Sequence, residues 1–188
     1  MRPWEFLGAI ERGCDMKTTR YLRWVGWSVI LSGISMILSV LFLSLAYSAG
    51  SITPGTHTHS VLVETLDVLT TGFLLPLPFG FYLIYKTYAT RLSFLSALAG
   101  TITLLTVTVL HVLFVFEVLW FSDTISQYLY AGTAVGLIFW LLMIAYLANR
   151  SRRPSHGTLL NALGATIVGF PIWVFSMGYL LISGRLTD

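Results

Sequence analysis

Long apolar runs separated by short polar segments dominate this chain. A transmembrane α-helix needs about 20 mainly apolar residues to cross a hydrocarbon core of about 30 Å. The runs that are long enough predict five membrane-spanning helices, at residues 24–47, 62–85, 92–121, 124–148 and 157–183. We therefore expect an all-α fold, a five-helix transmembrane bundle that forms one domain over residues 24–188.

The segment before the first apolar run, residues 1–23, mixes basic and acidic side chains. Trp4, Leu7 and Ile10 recur within it at roughly helical spacing, which predicts a short interfacial helix. The stretch that begins at Met16 is also typical of a chain start, so residues before it are candidates for an upstream extension. The first apolar run is longer than the roughly 7 to 15 residues of a signal-peptide core, which predicts a retained helix.

Small residues and prolines mark particular places within these helices. Pro76 and Pro78 lie near the middle of the second span, where each removes a backbone donor, so we expect a kink or a break there. Gly132 and Gly136 form a small-residue pattern in the fourth span that allows close helix contact. Four serines of the first span recur at steps of four, three and four and predict a packing seam: Ser28, Ser32, Ser35 and Ser39.

Composition and charge agree with a membrane location. Only 10% of the 188 residues are charged, whereas soluble domains carry about 25%. The net charge of +3 does not indicate nucleic-acid binding, because ten of the eleven Lys and Arg residues lie in short segments at 1–23, 86–91 and 149–156. The positive-inside rule then predicts a cytoplasmic N-terminus and an extracytoplasmic C-terminus. We expect an integral protein of a prokaryotic plasma membrane, in contact with the lipid bilayer.

Several kinds of chemistry lack the residues they need. Cys14 is the one cysteine, which excludes an internal disulfide and a Cys-x-x-Cys pair. The sequence has no Gly-rich phosphate loop and no nucleophile elbow, and the predicted spans contain no lysine for a retinal Schiff base. A lipid-modifying enzyme would need acidic partners near the basic loop at 150–153, which are missing. The absence of these motifs from the sequence favours a protein that is not an enzyme.

Ionisable residues gather at the predicted extracytoplasmic end, where His57, His59, Glu64 and Asp67 precede or begin the second span. Glu64 and Asp67 stand three residues apart and share a helix face. Imidazole suits zinc or copper and carboxylates suit harder cations, so one interpretation is a divalent-metal or proton site. The other is two solvated loop histidines beside two acids that the helix dipole favours.

The third span carries two ionisable side chains, His111 and Glu117, which we consider as cofactor-binding candidates. His111 lies ten residues before Phe121, which at about 1.5 Å per residue predicts a depth of about 15 Å. Proton relay, quinone-head-group donation and metal or haem ligation are its functional interpretations. The alternative is a neutral imidazole that bonds a threonine or serine of a neighbouring helix. Six residues place His111 and Glu117 about 120° apart, so they face different neighbours.

Two hypotheses about function follow. The first is a non-catalytic accessory subunit or oligomeric membrane component, whose partner is another membrane protein or a second copy of the chain. The second is a small carrier or redox component with an outward-facing metal, proton or quinone site built from Glu64, Asp67, His111 and Glu117. A bis-histidine haem held by this chain alone is not expected, because the other histidines fall in predicted loops.

Overall fold

A computed structural model of the protein describes residues 3–48, 61–119 and 123–150, together with Phe175, Gly178, Tyr179 and Ile182. The three continuous segments contain the helices α1 (Pro3–Ser48), α2 (Val61–Leu74), α3 (Leu77–Val115) and α4 (Thr124–Arg150). Three helical stretches are long and apolar enough to cross a membrane, at Thr18–Ala46, Val61–Val115 and Thr124–Arg150. The prediction of an all-α protein with helices long and apolar enough to span a membrane is therefore confirmed for the described residues. Most of the predicted fifth span, 157–183, lies outside the described residues.

The predicted break in the second span is confirmed at the boundary between α2 and α3. α2 ends at Leu74, Leu75 and Pro76 form a turn, and α3 begins at Leu77. Proline has no backbone N–H and disfavours helical geometry in the residue before it, which explains why the helix stops at this point.

α3 folds back on itself at Ala89, whose backbone angles of φ −157° and ψ 75° are not helical. The rings of Tyr82 and Phe94 lie 6.3 Å apart, although twelve residues of continuous helix would separate their backbones by about 18 Å. α3 therefore consists of two antiparallel arms, residues 77–88 and 90–115. The reversal lies within the segment 86–91, which the sequence analysis treated as a loop.

α1 packs on α2 through the serine seam, as the sequence predicted. Ser32 donates a hydrogen bond to the Thr70 carbonyl oxygen at 2.8 Å, and Ser28 donates to the Phe73 carbonyl oxygen. α1 is one continuous helix from Pro3 to Ser48, so the described part of the N-terminal segment continues directly into the first apolar run. The helix continues because no proline or glycine pair interrupts it near residue 23.

Glycines set the closest contacts among the helices. A Cβ atom at Gly100 would lie 2.4 Å from Nε1 of the buried Trp140 on α4, and one at Gly136 would lie 2.6 Å from Oγ1 of Thr103. A Cβ atom at Gly132 would meet nothing within 4 Å. The predicted contact face of α4 is thus confirmed for Gly136, whereas Gly132 faces away from the other described helices.

The helical positions Gly178 and Ile182 lie against α1. A Cβ atom at Gly26 would be 2.7 Å from Cγ1 of Ile182 and 2.9 Å from the carbonyl oxygen of Gly178. The chain therefore returns to the bundle after α4 and approaches α1 at backbone distance.

Candidate cation site

Glu64 in the first turn of α2 meets His111 in the last turn of α3. Oε2 of Glu64 lies 2.9 Å from Nδ1 of His111, and the two residues are only 6% and 8% exposed. The reversal at Ala89 makes this contact possible, because it returns the second arm of α3 to the end of the bundle where α2 begins. Two ionisable groups 47 positions apart in the sequence thus form one buried pair.

Tyr130 of α4 contacts the other side of the imidazole. Its hydroxyl lies 3.0 Å from Nε2 of His111, and the two rings are perpendicular with centroids 5.8 Å apart. Phe114 stacks on Tyr130 and presents its edge to His111. When Glu64 is ionised, Nδ1–H donates to it; Nε2 accepts from the Tyr130 hydroxyl if the imidazole is neutral and donates to the hydroxyl oxygen if it is protonated. Both imidazole nitrogens therefore have a hydrogen-bond partner, which fixes the orientation of the ring.

Asp67 lies one helical turn after Glu64 and completes the group. Its Oδ1 accepts a hydrogen bond of 2.7 Å from Ser39, a member of the serine seam. One ligand atom from each of Glu64, Asp67 and His111 lies within 4.8 Å of the other two. A mixed set of two carboxylates and one imidazole is suited to a divalent metal ion.

A cleft of about 350 Å³ lies beside this group, between α1, α2, the second arm of α3 and α4. Asp67, His111 and Tyr130 line its polar end. Leucine, valine, methionine and alanine side chains dominate the rest, with three threonines between them: Met36, Thr70, Thr71, Leu74, Leu104, Val107, Thr133, Ala134 and Leu137. The cleft reaches Asp67 and His111 directly.

Charge is separated along the bundle. None of the described residues that line the cleft is Lys or Arg. Five basic residues with described side chains lie instead beside the Ala89 reversal, at the end of α4 and in the first half of α1: Lys86, Arg91, Arg150, Arg20 and Arg23. The polar end of the cleft thus offers a carboxylate and an imidazole with no Lys or Arg among its described lining residues, a composition that suits a cation.

Glu117 does not join the group, because α3 ends before it. α3 stops at Val115, and Glu117 lies exposed in the following turn with a φ of 56°. The Val118 N–H bonds the Leu113 carbonyl at 2.9 Å, and the Glu117 N–H bonds the Phe114 carbonyl at 3.0 Å. This pattern is a Schellman helix end. Glu117 is thus not brought together with Glu64, Asp67 and His111, and its assignment as a cofactor-binding residue stays a prediction.

The early end of α3 also changes the position of His111. The predicted depth of about 15 Å assumed a helix that continues to Phe121. His111 instead lies one turn from the end of α3, close to the acidic residues that begin α2. The expected threonine or serine partner is replaced by Glu64 and Tyr130.

His57 and His59 lie outside the described residues, so their predicted role as metal ligands stays a prediction. Sequence reasoning missed Tyr130 and Ser39 as members of the site. Ser39 was assigned to packing alone, and a tyrosine near a helix start is common at membrane interfaces. The position of Ser39 in the serine seam could have indicated its role, because it is the last serine of the seam and bonds Asp67.

Comparison with known proteins does not assign the chain to a group. No protein-family model matches it, and neither a curated protein nor a solved structure matches it.

Proposed function

We propose that this protein is a non-catalytic integral membrane protein that binds a divalent metal ion at Glu64, Asp67 and His111. The observation that carries the proposal is the convergence of their three ligand atoms within 4.8 Å. Two carboxylates among membrane-spanning helices are costly when charged, and a divalent cation would offset that cost. Ser39 forms a hydrogen bond with Asp67, and Tyr130 forms one with His111. Metal ligands in proteins are commonly oriented by such outer partners, which bond the ligand and not the metal.

A metal ion suits this site better than a quinone. A quinone carbonyl needs a donor, but the Tyr130 hydroxyl and the His111 imidazole already bond each other and Glu64, and ionised Glu64 and Asp67 only accept hydrogen bonds. A proton can occupy the same groups, since Tyr130, His111 and Glu64 form a continuous hydrogen-bonded chain. Proton and metal would then compete, and metal binding would release protons from the ligands.

We propose a full topology of five spans with a cytoplasmic N-terminus, in a prokaryotic plasma membrane. The reversal at Ala89 divides Val61–Val115 into two antiparallel passes. The contact of Gly178 and Ile182 with α1 supports a further pass after α4. The basic ends of the described helices then face the cytoplasm, as the positive-inside rule requires, and the cation site faces outward.

We also propose that the protein works as an accessory subunit or as an oligomer. Gly132 supports this, because it is an exposed glycine of α4 with open space where a Cβ atom would be. Such a position lets a helix of a second membrane chain approach closely. Size-exclusion chromatography with light scattering in mild detergent tests it, and a lone monomer without a co-purifying protein would contradict it.

The metal proposal is tested by calorimetric titration of purified protein with Zn²⁺ and Mn²⁺. We expect one ion to bind per chain. Released protons should make the measured binding heat depend on the ionisation enthalpy of the buffer. Asp67→Asn and His111→Gln each replace a metal ligand. Mutation of a residue that only hydrogen-bonds a ligand lowers metal affinity by roughly 10- to 100-fold, so each of these variants should lower it by at least that much. Glu117→Gln is the matched control, because it removes an acid from the same end of the bundle but outside the group.

Two results would overturn the metal proposal. One is wild-type protein that binds neither ion under conditions where circular dichroism reports the helical fold. The other is binding that Asp67→Asn and His111→Gln leave unchanged, which would locate the ion elsewhere.

A further inference from the structure

A second groove lies on the opposite part of the molecule, between the two arms of α3. Its volume is about 380 Å³, and its lining consists of aromatic and small side chains: Phe79, Tyr82, Phe94, Ala97, Leu98 and Thr101. The Tyr82 ring contacts Phe79 at 5.6 Å and Phe94 at 6.3 Å between centroids. The groove has no part in the cation site.

The groove begins near the Ala89 reversal and runs toward the middle of the bundle. In the proposed topology, on which this inference rests, the two arms are antiparallel passes, the reversal lies at a membrane face and the groove extends from it into the hydrocarbon. Phe79, Phe94 and Leu98 are about half exposed, so they face lipid. An acyl chain matches this apolar, elongated and laterally open surface.

Basic side chains continue the same surface toward the membrane face. Lys86 follows Tyr82 by four residues on the first arm, and Arg91 precedes Phe94 by three residues on the second. Residues three or four apart share a helix face, so Lys86 and Arg91 lie one turn beyond the groove, on the same helix faces as Tyr82 and Phe94. That turn lies at the depth of lipid head groups.

We propose that this groove binds one anionic phospholipid, with an acyl chain against Phe79, Tyr82 and Phe94 and the phosphate beside Lys86 and Arg91. Charge complementarity selects an anionic over a zwitterionic head group, since basic residues between membrane helices attract anionic lipid. The aromatic lining distinguishes the site from a basic patch that acts on the membrane surface alone. The proposal does not depend on the metal site.

Native mass spectrometry of detergent-purified protein tests the proposal with phosphatidylglycerol and phosphatidylcholine of identical acyl chains. Wild-type protein should retain one phosphatidylglycerol in preference to phosphatidylcholine. The double variant Lys86→Gln/Arg91→Gln should lower this preference by about 10- to 30-fold, the effect expected from two basic groups near the head group. Arg150→Gln is the control, because it removes a basic residue of α4 that lies outside the groove.

A second pair of variants tests the acyl-chain part. Leu98→Trp fills the groove and should reduce retention of phosphatidylglycerol, whereas Leu95→Trp places the same side chain on an exposed position outside the lining and should not. Both sites are partly exposed, so neither variant disturbs the core. Soluble glycerol phosphate should not displace the lipid.

The proposal is overturned if wild-type protein retains the two lipids equally, or if the double variant keeps the wild-type preference. It is also overturned if Leu98→Trp and Leu95→Trp behave alike, or if glycerol phosphate displaces the lipid, because the head group alone would then account for binding.

Discussion

The contact between Glu64 and His111 allows a quantitative test of whether the metal-free site carries a charged pair. Oε2 and Nδ1 are 2.9 Å apart, and the side chains are only 7% and 10% exposed. At an effective dielectric constant of about 20, opposite charges about 4 Å apart attract by about 4 kcal/mol. Neutral hydrogen bonds between membrane helices average about 0.6 kcal/mol and reach about 1.7 kcal/mol. The two cases are therefore distinguishable.

The perturbation is a double-mutant cycle with Glu64→Gln and His111→Asn, which removes both charges but keeps hydrogen-bonding groups in place. We expect each single variant to be destabilised more than the double variant, with a coupling energy of about 2 to 4 kcal/mol. The assay is unfolding in mixed micelles with added denaturing detergent, followed by circular dichroism in the presence of a metal chelator.

Two controls accompany the cycle. Glu117→Gln should change the free energy of unfolding by less than about 0.5 kcal/mol, because the side chain is exposed. Tyr130→Phe should cost about 0.6 to 1.7 kcal/mol, the range of one neutral interhelical bond. A coupling energy near 0.6 kcal/mol between Glu64 and His111 would refute the charged pair.

Three further predictions concern packing, the end of α3 and the outer partner of the site. Gly100→Ala should lower the free energy of unfolding by about 1 to 3 kcal/mol in the same assay, because its Cβ would overlap the buried indole of Trp140. Gly132→Ala, whose Cβ meets no described atom, should be neutral or stabilising by up to about 1 kcal/mol. Glu117→Gly should stabilise the protein by about 1 kcal/mol, because glycine adopts the positive φ of 56° without strain; a loss of stability would contradict the helix end described above. Ser39→Ala should weaken Zn²⁺ affinity by about 10- to 100-fold in calorimetry without abolishing the fold, and unchanged affinity would exclude Ser39 as an outer partner.

Local patterns in the sequence predicted the elements well. Apolar run length predicted membrane helices, the spacing of Pro76 and Pro78 predicted a break, and the serine period predicted the α1–α2 seam. Each of these signals acts over one helix or one turn. A helix period or a missing backbone donor has the same consequence in any tertiary context, which is why these predictions were reliable.

The candidate site was only partly predictable, because its geometry depends on contacts between distant segments. Glu64 and Asp67 share a helix face by spacing alone, but their approach to His111 depends on the reversal at Ala89. The end of α3 before Glu117 was not predicted, because apolar residues continue after Val115 and hydropathy does not report that the helix ends there. The participation of Tyr130 follows from the packing of α4 on α3, which no local pattern specifies.

X-ray absorption at the zinc edge of Zn²⁺-loaded protein tests the central claim most directly. The account predicts one shell of nitrogen and oxygen neighbours at about 2.0 to 2.2 Å. It also predicts the multiple scattering of an imidazole ring, which His111→Gln should remove and Glu117→Gln should leave in place. Zinc coordinated by water alone, or an imidazole signal that persists in His111→Gln, would contradict a metal site at Glu64, Asp67 and His111.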